Sequence, residues 1–358
     1  AAMSEKAAEA AWPEIEKDLE PVAPNEWWQL VGDPVPVTWG MAATAARRSF
    51  RAARTSGMLA AAYGRLACGL AEALTDEEVD SKEWRAEIRA YALAATANGL
   101  RVLGKHEGAR LGFAQAQAEL DHPEDPADFL PFRAEIYSAM ASLSRDQGKC
   151  QEAIDYLVQA EEAADSVSYR PQVGFDLHLL DKRAYVLYGL ARFAEAESLL
   201  RGAEKKIAAD TPGNICLGIT WNLILVLQEQ DNLDEAEARL PECRRLLAEA
   251  GGQLEHVRVD WTEARLHLAR GRREEARALF ERVQGEFLDR EMALDVALVT
   301  LELALLLVQE GEAAQAAEQA LAVKSELERL GLTDDAAASM RIAWEAARSQ
   351  ALEAAVLE

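Results

Sequence analysis

Apolar side chains recur along this chain every three or four residues, the spacing of one face of a helix, from the first segment to the last. No window alternates polar and apolar positions with β-branched residues as a half-buried strand does, so the expected fold is all-α with essentially no sheet. A longer period lies inside the helical one. An Ala, a bulky residue four positions on and a small or β-branched residue three further recur as Ala109/Phe113/Ala116, Ala153/Leu157/Ala160, Ala196/Leu200/Ala203, Ala236/Leu240/Cys243, Ala276/Phe280/Val283 and Ala316/Ala320/Val323. Successive leading alanines stand 44, 43, 40, 40 and 40 residues apart. Ala-rich helix of random composition would not keep such a period, which marks a repeat architecture.

Each unit carries a second mark. Five residues before the leading Ala stands Gly104, Gly148, Gly271 or Gly311, with Ala191 and Asp231 in the two remaining units. A Gly there suits the left-handed residue that ends one helix just before another begins. The following helix often opens on acidic residues, as at Asp234-Glu235 and Glu274-Glu275, which favour its positive end. Upstream lies a further amphipathic stretch, such as 172–188 or 215–230. Each unit is thus expected to be helix A, a short turn, and helix B. Breakers at 122–126, 170–171, Thr211-Pro212-Gly213 and Gly251-Gly252 fall where one unit hands over to the next. Pro241 sits inside a helix B, where a kink rather than an end is expected.

On these residues the unit resembles a tetratricopeptide repeat (TPR): a small residue where helix B meets helix A, a bulky one a turn later and another small one after that. The usual repeat has 34 residues. The longer one here is similar to the lengthened repeats of kinesin light chain and of bacterial regulators. The match covers about residues 85–325; helix A often has Leu or Ala in place of the family's aromatic, and the closing Pro is mostly absent. The resemblance implies a right-handed superhelical α-solenoid of about seven helix-turn-helix units, with the helix A faces lining a concave side.

The two ends read differently. Residues 1–40 hold Trp12, Trp27, Trp28 and Trp39 with five prolines, which predicts short helices joined by extended segments, either a cap over the first repeat or an aromatic docking element. Residues 41–332 then form the solenoid, beginning with a degenerate repeat led by Ala60. Residues 333–358, with Met340, Ile342, Trp344 and Leu352 available to pack, are expected to be a C-terminal capping helix.

Composition narrows the function classes. The formal net charge is −24, from 62 acidic and 38 basic side chains. Nucleic acid and anionic lipid would be repelled unless basic residues were gathered into one patch. Arg47-Arg48, Arg244-Arg245 and Arg272-Arg273 are isolated pairs, read as solvated helix faces. Cys68, Cys150, Cys216 and Cys243 stand far apart and in no C-x-x-C spacing, as reduced thiols in a cytoplasmic protein would. No apolar run approaches the ~20 residues of a membrane span, and the first ten residues lack the pattern of a signal peptide.

No nucleotide, hydrolase or H-E-x-x-H motif occurs, and the five histidines are not at metal spacing. Neither catalytic nor metal residues nor a cofactor are expected. What remains is a surface. Aligned through the repeat, the inner rows of helix A are Ala94/Asn98/Arg101, Ser138/Ser142/Arg145, Asp181/Tyr185/Tyr188, Trp221/Leu225/Gln228, Trp261/Arg265/Leu268 and Leu301/Leu305/Val308. The candidate partner-binding residues are Asn98, Arg101, Arg145, Tyr185, Tyr188, Trp221, Gln228, Trp261 and Arg265, of types enriched at binding hot spots. Trp221 and Trp261 also fit a core role. The family's carboxylate clamp is not expected, because Asn98, Lys182, Asn222 and Arg258 are scattered over four units. The expected function is a protein- or peptide-binding scaffold that regulates a partner in bacterial signalling, transcription control or defence. The alternative is a receptor for a signalling peptide or small molecule that changes the pitch of the solenoid.

Overall fold

The computed structural model describes residues 5–53, 56–75, 82–121, 132–166, 174–250, 252–290 and 292–329. Among them fifteen α-helices and one 3-10 helix follow one another, and the only β feature is an isolated bridge between Val31 and Val35. Helix α1 (Glu5–Leu19) and the 3-10 helix (Pro24–Leu30) precede α2 (Trp39–Ala52) and α3 (Gly57–Ala73). Six pairs follow, each a helix A and a helix B: α4 (Lys82–Val102) with α5 (His106–Leu120), α6 (Phe132–Asp146) with α7 (Cys150–Ser166), and α8 (Phe175–Gly189) with α9 (Phe193–Glu204). Then come α10 (Gly213–Glu229) with α11 (Leu233–Ala250), α12 (Gln253–Ala269) with α13 (Arg273–Asp289), and α14 (Ala293–Gln309) with α15 (Ala313–Arg329). The chain forms two compact units, the first Ala1–Leu199 with Lys206–Thr211 and the second Leu200–Lys205 with Pro212–Glu358. Segments 122–126 and 170–171, Gly251 and the expected helix 333–358 lie outside the described residues.

The joint inside each pair has one construction, repeated six times. The residue five before the leading Ala is left-handed in every case: Gly104, Gly148, Gly271 and Gly311, and also Ala191 at φ 55° and Asp231 at φ 59°. Two backbone bonds close each helix A, as in Gly104 N–H to Arg101 O at 2.9 Å and Lys105 N–H to Leu100 O at 2.9 Å. This is the Schellman arrangement, which satisfies carbonyls that the helix end leaves without partners. The carbonyl of the next residue then opens helix B by accepting from the leading alanine, Ala109 N–H to Lys105 O at 3.0 Å and Ala153 N–H to Lys149 O at 3.0 Å. All six leading alanines are fully buried. The repeat register read from the sequence is therefore a stereochemical one.

A side chain in the left-handed region costs about 1–2 kcal/mol that Gly avoids, less about 0.5–1 kcal/mol of chain entropy that Gly loses on folding. Ala191→Gly is accordingly expected to raise stability by about 0.5–1 kcal/mol. A higher denaturant midpoint is the expected result, and an unchanged or lower one would contradict the joint described here.

Beneath the joints the apolar triplets are core. Phe113, Leu157, Leu200, Phe280 and Ala320 are buried. Leu240 is half-buried beside Pro241, through which α11 runs without ending. In the first unit, Trp12 and Trp27 are buried, with ring centroids 6.2 and 4.9 Å from Tyr63 on α3, and the Trp27 indole donates to Leu19 O at 3.1 Å and Val22 O at 3.0 Å. Trp39 meets Trp84 edge-on at 5.0 Å, while Trp28 is exposed. Helices α3 and α4 approach so closely that glycines mark the crossing: a Cβ on Gly64 would stand 2.6 Å from Thr96 Cα, and one on Gly99 would stand 2.5 Å from Ala61 N.

One sequence expectation fails here. Arg47 is not on a solvated face. It is buried, ion-paired with Glu5 of α1, and 3.8 Å from the equally buried Glu135 of α6. A buried charge must be paired, and its partners come from helices that the local sequence does not reveal.

Candidate functional site: the inner rows of helix A

In the first unit the rows of α4, α6 and α8 form one connected polar surface. Each row ends at the same place relative to its turn, because Arg101, Arg145 and Tyr188 each give their carbonyl to the left-handed residue, at 2.9 Å in all three cases. Cationic side chains at a helix C-terminus also suit its negative end. Asp146, one position beyond the α6 row, ties the rows together. It accepts from Arg145 Nε at 3.0 Å and Nη2 at 2.6 Å, and from Arg101 Nη1 at 2.5 Å. Arg101 Nε donates to Asn98 Oδ1 at 3.0 Å, so Asn98, itself buried, orients the guanidinium. Burial works to raise the Asp146 carboxyl, but Arg145 and Arg101 outweigh it and hold the group below its ordinary value.

Lys182 reaches from α8 to α6. Its ammonium donates to Ser138 O at 3.0 Å, Ser138 Oγ at 2.8 Å and Ser142 Oγ at 3.0 Å. All three acceptors are uncharged. Burial pushes its pKa down to about 7, and the nearby charges of Arg101 and Arg145 push the same way, with Asp146 and Asp181 opposing them. The aromatic part of the surface lies next to it. The Arg145 guanidinium stands 5.5 Å from the centre of the Tyr185 ring, a cation–π distance, and Tyr185 stacks on Tyr188 at 6.2 Å. The Arg145 side chain is 34% exposed and Tyr185 is 38% exposed, which leaves this surface open to a partner.

In the second unit the rows of α10, α12 and α14 are occupied with one another. Trp221 Nε1 donates to Thr262 Oγ1 at 2.7 Å, and Gln228 Nε2 donates to Thr262 O at 3.0 Å. Arg265 lies between two carboxylates, Glu229 at 2.7 Å and Glu302 at 3.2 Å. Trp261 is half-buried and meets Phe287 edge-on at 5.7 Å. Leu225 and Leu301 are buried. The nine candidate residues are thus gathered into one set in each unit. The first set is Asn98, Arg101, Arg145, Tyr185 and Tyr188; the second is Trp221, Gln228, Trp261 and Arg265, whose polar atoms largely bridge neighbouring helix A elements.

Sequence reasoning missed Asp146, Thr262, Glu229 and Glu302, and saw Lys182 only as part of a scattered clamp. Asp146 and Lys182 each stand one residue off the i, i+4, i+7 row, so the row pattern passes over them. Among the described residues no group of three or more His, Cys, Asp or Glu side chains is placed to hold a metal ion. No helix there is long and apolar enough to cross a membrane.

Paired helices joined by the same turn, with the small–bulky–small triplet buried between them, define a TPR-like repeat fold of the α-solenoid class. The chain is similar to solved structures of that kind. One is a Rap protein complexed with competence and sporulation factor, with a TM-score of 0.53 and 13% identity over 92% of this chain and 97% of that one. A second is the Rap conjugation gene regulator of the plasmid pLS20 in complex with the Phr* peptide, with a TM-score of 0.51 and 14% identity over 84% of this chain and 85% of that one. A tetratricopeptide repeat protein from Parabacteroides merdae gives a TM-score of 0.48 and 13% identity over 85% of this chain and 98% of that one. No protein-family model and no curated protein matches the sequence.

Proposed function

We propose that the chain is a non-catalytic scaffold that takes a peptide or extended protein segment along the inner rows of helix A and thereby regulates a partner. One observation carries this reading: Arg145, Tyr185 and Tyr188 lie together on an open face built by two successive helix A elements, bonded to a third through Asp146. Arg and Tyr gain most when a partner desolvates them, and a rigid surface of this kind loses little entropy on binding. The fold it shares with two Rap proteins, one complexed with competence and sporulation factor and one with the Phr* peptide, favours a short signalling peptide as the ligand. The net charge of −24 weighs against nucleic acid and anionic membrane as partners. The reading places the protein in the cytoplasm, in bacterial signalling, transcription control or defence.

Panning a random displayed-peptide library on the immobilised full chain tests the proposal. Peptides are expected to be enriched on the natural sequence and lost on the Arg145→Ala/Tyr185→Ala double variant. Equal enrichment on both would put binding elsewhere and refute the reading.

A further inference from the structure

In the second unit a cavity of about 350 Å³ lies between α11 and α12, beside the proline inside α11. That volume is at the lower end for small-molecule sites, about 300–1,000 Å³, and far above the ~30 Å³ share of one water. Leu240, Pro241 and Leu266 give the cavity apolar walls. Its charged lining residues are occupied with one another. Arg272 pairs with Glu237, and Arg244 pairs with Glu263 and, at 2.6 Å, with Asp260. The hydrogen-bonding groups are not so occupied. Arg272 Nε and His267 Nδ1 are buried with no hydrogen-bond partner among the described residues. The other ring nitrogen, His267 Nε2, stands 3.9 Å from Glu263 Oε1, too far for a hydrogen bond. Pro241 has no N–H, so the Glu237 carbonyl four residues earlier is denied its helical donor. Unpartnered buried polar groups and a proline inside a helix are each costly. Here they coincide at one cavity, and departures of this kind concentrate at functional sites.

We infer that this cavity binds a small uncharged ligand of the amide class, a flat ring bearing a carboxamide. An amide carries the acceptor that Arg272 Nε lacks and the donor that Pro241 withholds from the Glu237 carbonyl, while His267 Nδ1 gives or takes one bond more. The apolar walls suit a ring. A charged ligand would have to compete with the ion pairs of the lining, whereas a neutral one leaves them intact. None of these residues belongs to the inner rows, so the inference goes beyond the proposed binding role and does not depend on it.

The test uses the full chain at constant neutral pH and three probes built on one ring: nicotinamide, its acid nicotinate and the amine 3-(aminomethyl)pyridine. Benzamide, a second neutral amide, lacks the ring nitrogen and so isolates the carboxamide. The Cε1–Hε1 resonance of His267, assigned by its loss in His267→Gln, is followed by NMR as each probe is added. Saturable movement is expected with both amides and not with the acid or the amine, while the other histidine resonances stay in place. Pro241→Ala returns an N–H to the Glu237 carbonyl, so the thermal midpoint should rise while amide binding weakens about tenfold, the scale of one withdrawn acceptor. Arg272→Lys keeps a positive charge opposite Glu237 but removes Nε, and should weaken binding as well. A His267 resonance that neither amide moves, or that the acid or amine moves as far, overturns the site, as does undiminished binding in Pro241→Ala. The Arg145→Ala/Tyr185→Ala variant should bind the amides as the natural chain does; loss of binding there would contradict a site separate from the inner rows.

Discussion

Replacing Tyr91 by alanine is expected to destabilise the first unit by about 4 kcal/mol, the scale of losing a large aromatic from a close-packed core. Tyr91 is fully buried. It stacks on Phe132 at 4.4 Å and on Phe50 at 5.4 Å, so α2, α4 and α6 meet around its ring. Its hydroxyl donates to Glu135 Oε2 at 2.5 Å, and Arg47 Nη2 stands 3.8 Å from the other oxygen of that carboxylate. Burial, then the Glu135 charge, holds the phenol well above its ordinary pKa, which keeps it a donor. Tyr91→Phe retains the stack and removes only the donor, leaving a buried carboxylate less satisfied, at about 1–3 kcal/mol. Equilibrium denaturation of both variants checks the order: Ala well below Phe, and Phe below the natural chain. Equal effects of the two would mean that the ring packing contributes little.

The second large effect is at Gly99. Alanine there is expected to cost about 3 kcal/mol, because its Cβ would meet Ala61 N at 2.5 Å, Ala61 Cα at 2.8 Å and Ala60 C at 2.9 Å. Those atoms are backbone of α3, itself fixed where the Ser49 hydroxyl lies 2.7 Å from Ala60 O and 3.0 Å from Ala95 O. No side chain can rotate aside. The comparison is Gly202→Ala in α9, where a Cβ meets nothing within 4 Å and helix propensity alone should give a gain of about 0.5–1 kcal/mol. The two substitutions are chemically identical and are expected to move the denaturation midpoint in opposite directions. A common direction would mean that the α3–α4 crossing is wider than described.

The repeat was legible because it is written in positions where only small residues fit. Ala196 and Ala276 are buried and spaced as the pairing of helices requires, and Gly104 and Gly271 are left-handed where a helix must stop. Ala191 and Asp231 share that conformation without the residue type, and only the period identified them. The candidate site was legible in part. Rows at i, i+4 and i+7 found Arg145 and Tyr185, since they share a face defined by the helix alone. Asp146 was passed over, Lys182 was read only as part of a scattered clamp and Arg47 only as a solvated residue, because their environment is set by side chains on other helices, and a one-dimensional pattern carries no such distances. The same limit left Trp221 and Trp261 open between core and surface; they are half-buried, with Trp221 bonded to the next helix A.

The central claim is that a partner lies on the inner rows of helix A, and isothermal calorimetry with one library-selected peptide tests it most directly. Tyr185→Ala is compared with Glu275→Ala, an exposed residue of helix B in α13. Tyr185→Ala should weaken binding by about 2 kcal/mol with little loss of stability, and Glu275→Ala should leave the affinity unchanged. Binding that survives Tyr185→Ala and is lost in Glu275→Ala would put the partner on the helix B face and contradict the account.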